Sequence, residues 1–80
     1  MHHDLKIDKP YLEAKLAGDK LFEIRTNDRG YQKGDTVSYY ENKPLQRMKH
    51  TYEITYVSNY CQRDNNVVFG ERHIESVLDD

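Results

Sequence analysis

Lys20, Glu23 and Arg25 form the densest group of residues in the sequence that could do chemistry. They follow Gly18 within eight residues, and an ammonium, a carboxylate and a guanidinium at this spacing can together hold one polar or anionic ligand. In an extended strand Glu23 and Arg25 share a face, with their Cα atoms about 7 Å apart. The alternative is a surface ion-pair ladder, in which each pair contributes about 0 to 1 kcal/mol. The spacing alone leaves both interpretations open.

Lys20 can join this group only from outside the strand. Strict alternation of side chains would place Lys20 on the face opposite to Glu23 and Arg25. A position in the turn before the strand frees its side chain from that alternation. We therefore expect the three charged side chains to face one shared, partly dry hollow.

A short helix is predicted over residues 10–17, just before this group. Asp8 suits the N-cap position, and Pro10 suits the first helical turn. Gly18 is expected to end the helix, because glycine adopts positive φ without a steric clash. The helical face predicted from the spacing carries Tyr11, Leu12, Lys15 and Leu16.

The remaining pattern predicts a set of short strands. They are expected at residues 5–7, 21–26, 36–41, 48–58 and 67–69, with a helical turn at 74–78. The run at 48–58 is the longest β-prone stretch and is expected to be the central strand. This order indicates an α+β fold, a small and mainly antiparallel β-barrel with one N-terminal helix.

Length and charge exclude several classes of protein. The 80 residues form a single domain, because a second core would need roughly another 50 residues. Twelve Lys and Arg against 14 Asp and Glu give a net charge of −2, which leaves only a local patch for nucleic acid. Since no apolar run approaches the roughly 20 residues of a membrane span and the start lacks a signal peptide, we expect no membrane partner and a cytoplasmic location.

The reactive and metal-binding residue types show no recognisable pattern elsewhere. Cys61 has no second cysteine for a disulfide and is interpreted as a loop thiol. The four histidines lack ligand spacing and the four glycines form no phosphate-binding loop. We therefore predict no metal and no cofactor, and a monomer is favoured.

Four residues with the spacing Gly-x-Lys-x-x-Glu-x-Arg resemble the signature of the ASCH domains, a branch of the PUA-like β-barrel superfamily. Here they are Gly18, Lys20, Glu23 and Arg25. Residues 3–7, His-Asp-Leu-Lys-Ile, and residues 22–29, Phe-Glu-Ile-Arg-Thr-Asn-Asp-Arg, are similar to segments of short bacterial and phage proteins of that superfamily. Tyr31 and Gly34-Asp35 continue the likeness, which covers residues 3–40 and is thin beyond them.

This resemblance implies a small barrel with a cleft beside the helix and the motif strand, binding RNA or a nucleotide-like ligand. The residues expected to line the cleft are His3, Lys20, Glu23, Arg25, Asn27, Asp28, Arg29 and Tyr31. Arginines recognise phosphate bidentately, and Tyr31, Tyr39 or Tyr40 could stack on a base. The alternative role for each tyrosine is packing in the core or on the barrel surface.

One ASCH branch is similar to a small amidohydrolase that removes the acetyl group of N4-acetylcytidine with a Lys, a Thr three residues later and a downstream carboxylate. Lys20 matches that Lys, whereas Glu23 stands at the Thr position and only Glu53 and Glu71 are available as carboxylates. A catalytic Lys must be neutral, and an adjacent carboxylate favours the charged form. One catalytic arrangement stays open, in which Glu23 acts as the base and Lys20 stabilises an oxyanion. We expect binding rather than catalysis, and a phage-type adaptor for a host protein is a third alternative.

Overall fold

Five strands and one helix follow one another in the computed structural model, which describes residues 1–79. The elements are β1 (His2–Leu5), α1 (Lys9–Leu16), β2 (Phe22–Thr26), β3 (Thr36–Lys43), β4 (Gln46–Ser58) and β5 (Asn66–Leu78). This confirms the prediction of a small, mainly β domain with one short N-terminal helix. None of the helical structure within residues 1–79 has the length and apolar character needed to cross a bilayer.

The strands form one curled sheet in the order β1-β3-β4-β5-β2. Only the β1–β3 pair is parallel among the described residues, so the sheet is mainly antiparallel as predicted, and β4 is its central strand. Register shifts between Thr51 and Tyr52 and between Ile54 and Tyr56 interrupt the long β4–β5 ladder. Such bulges bend a strand and increase its twist. The curl brings the two edge strands, β1 and β2, to opposite sides of one open seam.

The first and last elements differ from the sequence-based expectation. The predicted helical turn at 74–78 is wrong, because this segment continues β5 and pairs with β4 as far as Met48–Leu78. Residues 74–78 are too few for their hydrophobic periodicity to distinguish a helix from a strand, so pairing with the long strand β4 determines their structure. Strand β1 ends at Leu5, rather than covering residues 5–7, because its backbone pairs with the first four residues of β3.

Helix α1 begins and ends close to the predicted positions. Pro10 lies in the first turn, where its missing N–H is not needed. Asp8 is the N-cap residue, as predicted, although its side chain makes no capping hydrogen bond, and its carbonyl oxygen accepts the N–H groups of Tyr11 and Leu12. Gly18 follows the helix with φ at +84°, a conformation that glycine adopts without strain.

Only part of the predicted helical face is buried. Leu12 and Lys15 point into the core, whereas Tyr11 and Leu16 are exposed. The nine buried apolar side chains are Leu5, Leu12, Tyr31, Val37, Tyr39, Tyr52, Ile54, Val67 and Phe69. Most come from the strands, and the helix contributes Leu12 and the buried Lys15 to a core that also contains buried polar side chains, among them Glu23 and Glu71.

Candidate functional site

Strand β2 turns its charged face inward. Glu23 is only 5% exposed and Arg25 is half-buried, whereas Phe22 and Ile24 are 46% and 52% exposed. A strand on the surface of a sheet usually buries its apolar face and exposes its polar one. Because of this reversed orientation, the apolar side chains of Phe22 and Ile24 remain exposed and their hydrophobic stabilisation is lost. This loss indicates that the inward charges have a role at this position.

The carboxylate of Glu23 lies among three cations. Its Oε1 is 3.2 Å from Lys15 Nζ and 3.1 Å from Lys20 Nζ, and its Oε2 is 3.4 Å from Arg25 Nε. Lys20 precedes β2 and donates a second hydrogen bond, of 2.8 Å, to the carbonyl oxygen of Phe22. The structure therefore brings together the three charged residues singled out in the sequence, with Lys20 reaching Glu23 from the turn.

A deeper layer of this cluster consists of fully buried groups. Lys15 Nζ donates to Glu71 Oε2 at 3.1 Å and lies 5.0 and 5.4 Å from the ring centres of Tyr39 and Tyr52. The hydroxyl of Tyr39 donates to the other oxygen of Glu71. Burial raises the pKa of Glu71, and the Lys15 ammonium and the Tyr39 hydroxyl counteract that rise. The buried Lys15 thus joins two carboxylates, Glu71 inside and Glu23 at the rim.

The tyrosines around Lys15 are held neutral by the same environment. Burial raises the pKa of Tyr39 well above its ordinary value, and the nearby Glu71 carboxylate adds to the effect. Burial also raises the pKa of Tyr52 to about 12, again with a contribution from Glu71. Within residues 1–79 the Tyr52 hydroxyl has no hydrogen-bond partner, so one polar atom beside the cluster is left unsatisfied.

Sequence reasoning did not identify Lys15 as part of the site. The available signal was its position three residues after Leu12, on the face of the helix that must be apolar. Glu71 was noted only as an available carboxylate, because its distance along the chain from Glu23 hides their shared contact with Lys15.

Two adjoining grooves open at the seam between β1 and β2. The larger, of about 710 Å³, is lined by residues that include Asp8, Tyr11, Glu23, Tyr40, Asn42 and Arg47. The smaller, of about 480 Å³, is lined by residues that include Asp4, Thr26, Asp28, Arg29 and Tyr31. They share Leu5, Lys6 and Arg25, and Arg25 Nη2 donates to the carbonyl oxygen of Lys6 at 2.8 Å. The Arg25 side chain therefore bridges the two edge strands where the grooves meet.

Residues 2–71 match the family described as a domain of unknown function, DUF3850. The chain belongs to this family. The matched region runs from β1 into β5 and contains both grooves and the whole Glu23–Lys15–Glu71 cluster. A search of curated proteins found no match.

The remaining predicted site residues of this DUF3850 domain are distributed over several places. Asp28 and Arg29 lie beside Arg25 in the smaller groove. Asn27 instead lines a separate cavity of about 410 Å³ with residues of the β4–β5 loop, and its Oδ1 accepts the backbone N–H of Tyr31. Lys20 lines neither seam groove and contacts them only through Glu23.

The candidate stacking tyrosines also separate. Tyr39 is fully buried and Tyr31 is 5% exposed, with its ring 4.8 Å from that of His3 and 4.9 Å from that of Phe69. Burial raises the pKa of the Tyr31 hydroxyl. Tyr31 and Tyr39 are therefore core residues. Tyr40 is the accessible ring, since it lines the larger groove with the Arg47 guanidinium 4.1 Å from its centre.

His3 has a structural position beneath the start of β3. Its Nε2 lies 2.9 Å from Asp35 Oδ2, and the same carboxylate accepts the backbone N–H of Gln32 and the amino group of Met1. Burial alone would raise the pKa of Asp35, but the hydrogen bonds from His3, the amino group and Gln32 lower it overall. Within residues 1–79 no group of three or more His, Cys, Asp and Glu side chains is placed to hold a metal ion.

Asp35 is expected to make the DUF3850 domain sensitive to acid. A carboxyl whose folded pKa is depressed stabilises the fold above its ordinary value, near 3.8, and this stabilisation is lost as the pH falls through the lower folded value. As the pH falls below about 4, we expect the free energy of unfolding to decrease less steeply in Asp35→Asn than in the parent protein. Urea unfolding at a series of pH values measures it, with the exposed Asp19→Asn as control. If the free energy of unfolding decreases equally steeply at acid pH in Asp35→Asn and in the parent, this role is refuted.

Proposed function

We propose that this DUF3850 domain is a PUA-like barrel of the ASCH type that binds RNA or a nucleotide-like ligand in the seam grooves. The observation that carries the proposal is the cation set of the smaller groove. Arg25, Lys6 and Arg29 line it together, and within residues 1–79 neither Lys6 nor Arg29 has an ion-pair partner. Uncompensated cations in a concave site are suited to an anionic ligand.

The chemistry of the two grooves fits the parts of a nucleotide. Arg29, which has no ion-pair partner within residues 1–79, offers its guanidinium fork to a phosphate. Arg25 is already held in place, because its Nε contacts Glu23 and its Nη2 donates to the carbonyl oxygen of Lys6. In the larger groove Tyr40 and Arg47 offer a ring and a planar cation for stacking on a base. The smaller groove thus suits phosphate and the larger groove suits the base.

Electrostatics limit the size of the binding site. The net charge of −2 and the acidic groove residues Asp4, Asp8 and Asp28 leave no extended basic track. Asp4 accepts the hydroxyl of Tyr40, a hydrogen bond that lowers the pKa of this carboxyl, so its charge is partly satisfied within the protein. We infer contacts to one to three phosphates of a single strand, rather than a broad electrostatic grip.

Binding of short single-stranded RNA at several salt concentrations tests this proposal. Each phosphate contact on a single strand contributes about −0.7 to the slope of log affinity against log salt. We expect a total slope between about −0.7 and −2, which Arg29→Ala reduces by about 0.7. Fluorescence anisotropy measures both. No binding, or a slope that Arg29→Ala leaves unchanged, would remove the proposal.

A second candidate function is hydrolysis of an acylated nucleoside such as N4-acetylcytidine. The favouring observation is that Glu71, one of the carboxylates left open by the sequence, shares Lys15 with Glu23, beside Lys20. Two carboxylates in different environments, with the pKa of Glu71 raised by burial, are a recurrent acid–base arrangement. Turnover of N4-acetylcytidine to cytidine that Lys20→Met abolishes and Lys33→Met preserves would support it, and no Lys20-dependent turnover would exclude it.

Three further predictions from the sequence concern a protein partner, the cellular location and the oligomeric state. A protein-binding adaptor is the expected class if neither RNA binding nor turnover is found. The cytoplasmic location remains a prediction that a localisation experiment would test. The monomeric state remains a prediction that a sedimentation measurement would test.

A further inference from the structure

A second polar cluster lies at the far end of the sheet, where β3, β4 and β5 run side by side. It consists of Glu41 on β3, His50 on β4, and His73 and Ser76 on β5. His50 and Ser76 are direct cross-strand partners. None of these four residues lines the seam grooves, and the two on β5 follow the region that matches DUF3850. The cluster is therefore independent of the proposed ligand site.

The hydrogen bonds of this cluster have one consistent direction. Glu41 Oε1 lies 3.1 Å from His50 Nε2, and an ionised carboxylate can only accept, so the neutral imidazole carries its proton on Nε2. The free lone pair is then on Nδ1, which lies 2.7 Å from the Oγ of Ser76. In this neutral tautomer of His50, Ser76 donates its hydroxyl proton to Nδ1. The remaining lone pairs of that oxygen can accept from His73 Nε2, 2.9 Å away.

Burial divides the cluster into an inner base and an outer hydroxyl. His50 is 5% exposed and Glu41 is half-buried, whereas Ser76 is exposed on β5. Contacts with Glu41 and Ser76 thus hold the imidazole in one orientation beneath a serine that is exposed to solvent. A nucleophile in contact with a base that a third group orients is the arrangement that activates serine hydroxyls.

We propose that Ser76 is an activated nucleophile that accepts an acyl group from a small activated ester. The Ser76 Oγ attacks the carbonyl carbon while its proton passes to Nδ1 of His50. The bond from the carbonyl carbon to the leaving oxygen then breaks, and that oxygen takes the proton from Nδ1. An O-acyl serine and a free alcohol are formed, with no oxidant or cofactor required.

His73 has a positioning role in this arrangement. Its ring packs 4.9 Å from that of Tyr52, and its Nε2 lies 2.9 Å from the Ser76 oxygen, so its Nε2–H tautomer donates to that oxygen and leaves the hydroxyl proton for His50. Within residues 1–79 His73 has no carboxylate partner, so no group fixes its tautomer as Glu41 fixes that of His50. His50 is therefore the base of the pair.

Acetylation by p-nitrophenyl acetate, followed by peptide mapping with mass spectrometry, tests the proposal. Ser58 on β4 is the control serine: it is half-buried, its Oγ accepts the backbone N–H of Tyr60, and within residues 1–79 it has no imidazole contact, while the His50 and Glu41 variants control for the greater exposure of Ser76. We expect acetylation of Ser76 at least about tenfold faster than that of Ser58, because general-base assistance accelerates proton transfer steps by about a hundredfold or more. His50→Gln and Glu41→Gln should each slow labelling of Ser76 toward the rate of Ser58.

Several outcomes would overturn the assignment. Equal labelling of Ser76 and Ser58, or acetyl groups found only on lysines and the amino terminus, would show that the serine is not activated. Fast labelling that survives Glu41→Gln, or that is lost in His73→Gln but not in His50→Gln, would contradict the assigned base. Circular dichroism of each variant checks folding, and the Glu41 variant remains informative if His50→Gln unfolds.

Discussion

Replacing Lys15 with Met is expected to lower the free energy of unfolding by about 3 to 5 kcal/mol, because it leaves two buried carboxylates without their shared cation. Lys15 and Glu71 have fully buried side chains, and Glu23 is nearly so. Met keeps the length and packing of the aliphatic chain, so the loss reports the charge. Urea unfolding measures the effect, and the exposed Lys33→Met should change stability by less than about 0.5 kcal/mol.

A second variant separates this electrostatic effect from a packing defect. Glu71→Gln in the Lys15→Met background removes the innermost uncompensated charge, and we expect it to restore at least about 1 kcal/mol. An unfolding free energy of Lys15→Met within about 1 kcal/mol of the parent would show that Lys15 is not the buried counter-ion described above.

Arg25→Ala is expected to weaken RNA binding by about tenfold to a hundredfold, because charge-assisted hydrogen bonds contribute about 1.5 to 3 kcal/mol. Its guanidinium is held by Glu23 and by the carbonyl oxygen of Lys6 at the junction of the two grooves. The loss of these two contacts should cost only about 1 kcal/mol of stability, since the side chain is partly exposed. Anisotropy and urea unfolding on the same protein give both numbers.

Arg72→Ala is the matched control for Arg25. Arg72 also pairs with a glutamate, Glu53, but lies outside both seam grooves. We expect this variant to retain RNA affinity within about twofold. Equal losses in the two variants would indicate a nonspecific charge effect. Collapse of the fold in Arg25→Ala alone would show that Arg25 is chiefly the structural bridge between β1 and β2.

The local pattern was sufficient to predict the elements around the charged motif. Pro10 and Gly18 bound the helix, the alternation of residues 22–26 defines β2, and the β-prone run at 48–58 is the central strand. These features depend on neighbours in sequence, which single-chain patterns record well. The pairing of residues 74–78 with β4 depends on a distant strand, so their local pattern misled the prediction.

The site was predictable at its rim and not in its interior. Glu23 and Arg25 share a face because of strand alternation, and Lys20 reaches them from a turn, as the spacing suggested. The inward orientation of that face, however, depends on Lys15 and Glu71, which long-range folding brings together. Burial of Tyr31 and Tyr39 likewise depends on how the sheet curls, so two of the three tyrosines named as possible stacking partners for a base are core residues.

The most direct test of the proposed ligand site is a chemical-shift titration of the isotope-labelled chain with short single-stranded RNA. The expected result is a set of saturable shifts at the seam, at the amides of Lys6, Arg25, Arg29 and Tyr40. Shifts confined instead to Phe22, which lies on the outward face of β2 and lines neither groove, or no saturable shift with RNA, would contradict binding between the two edge strands.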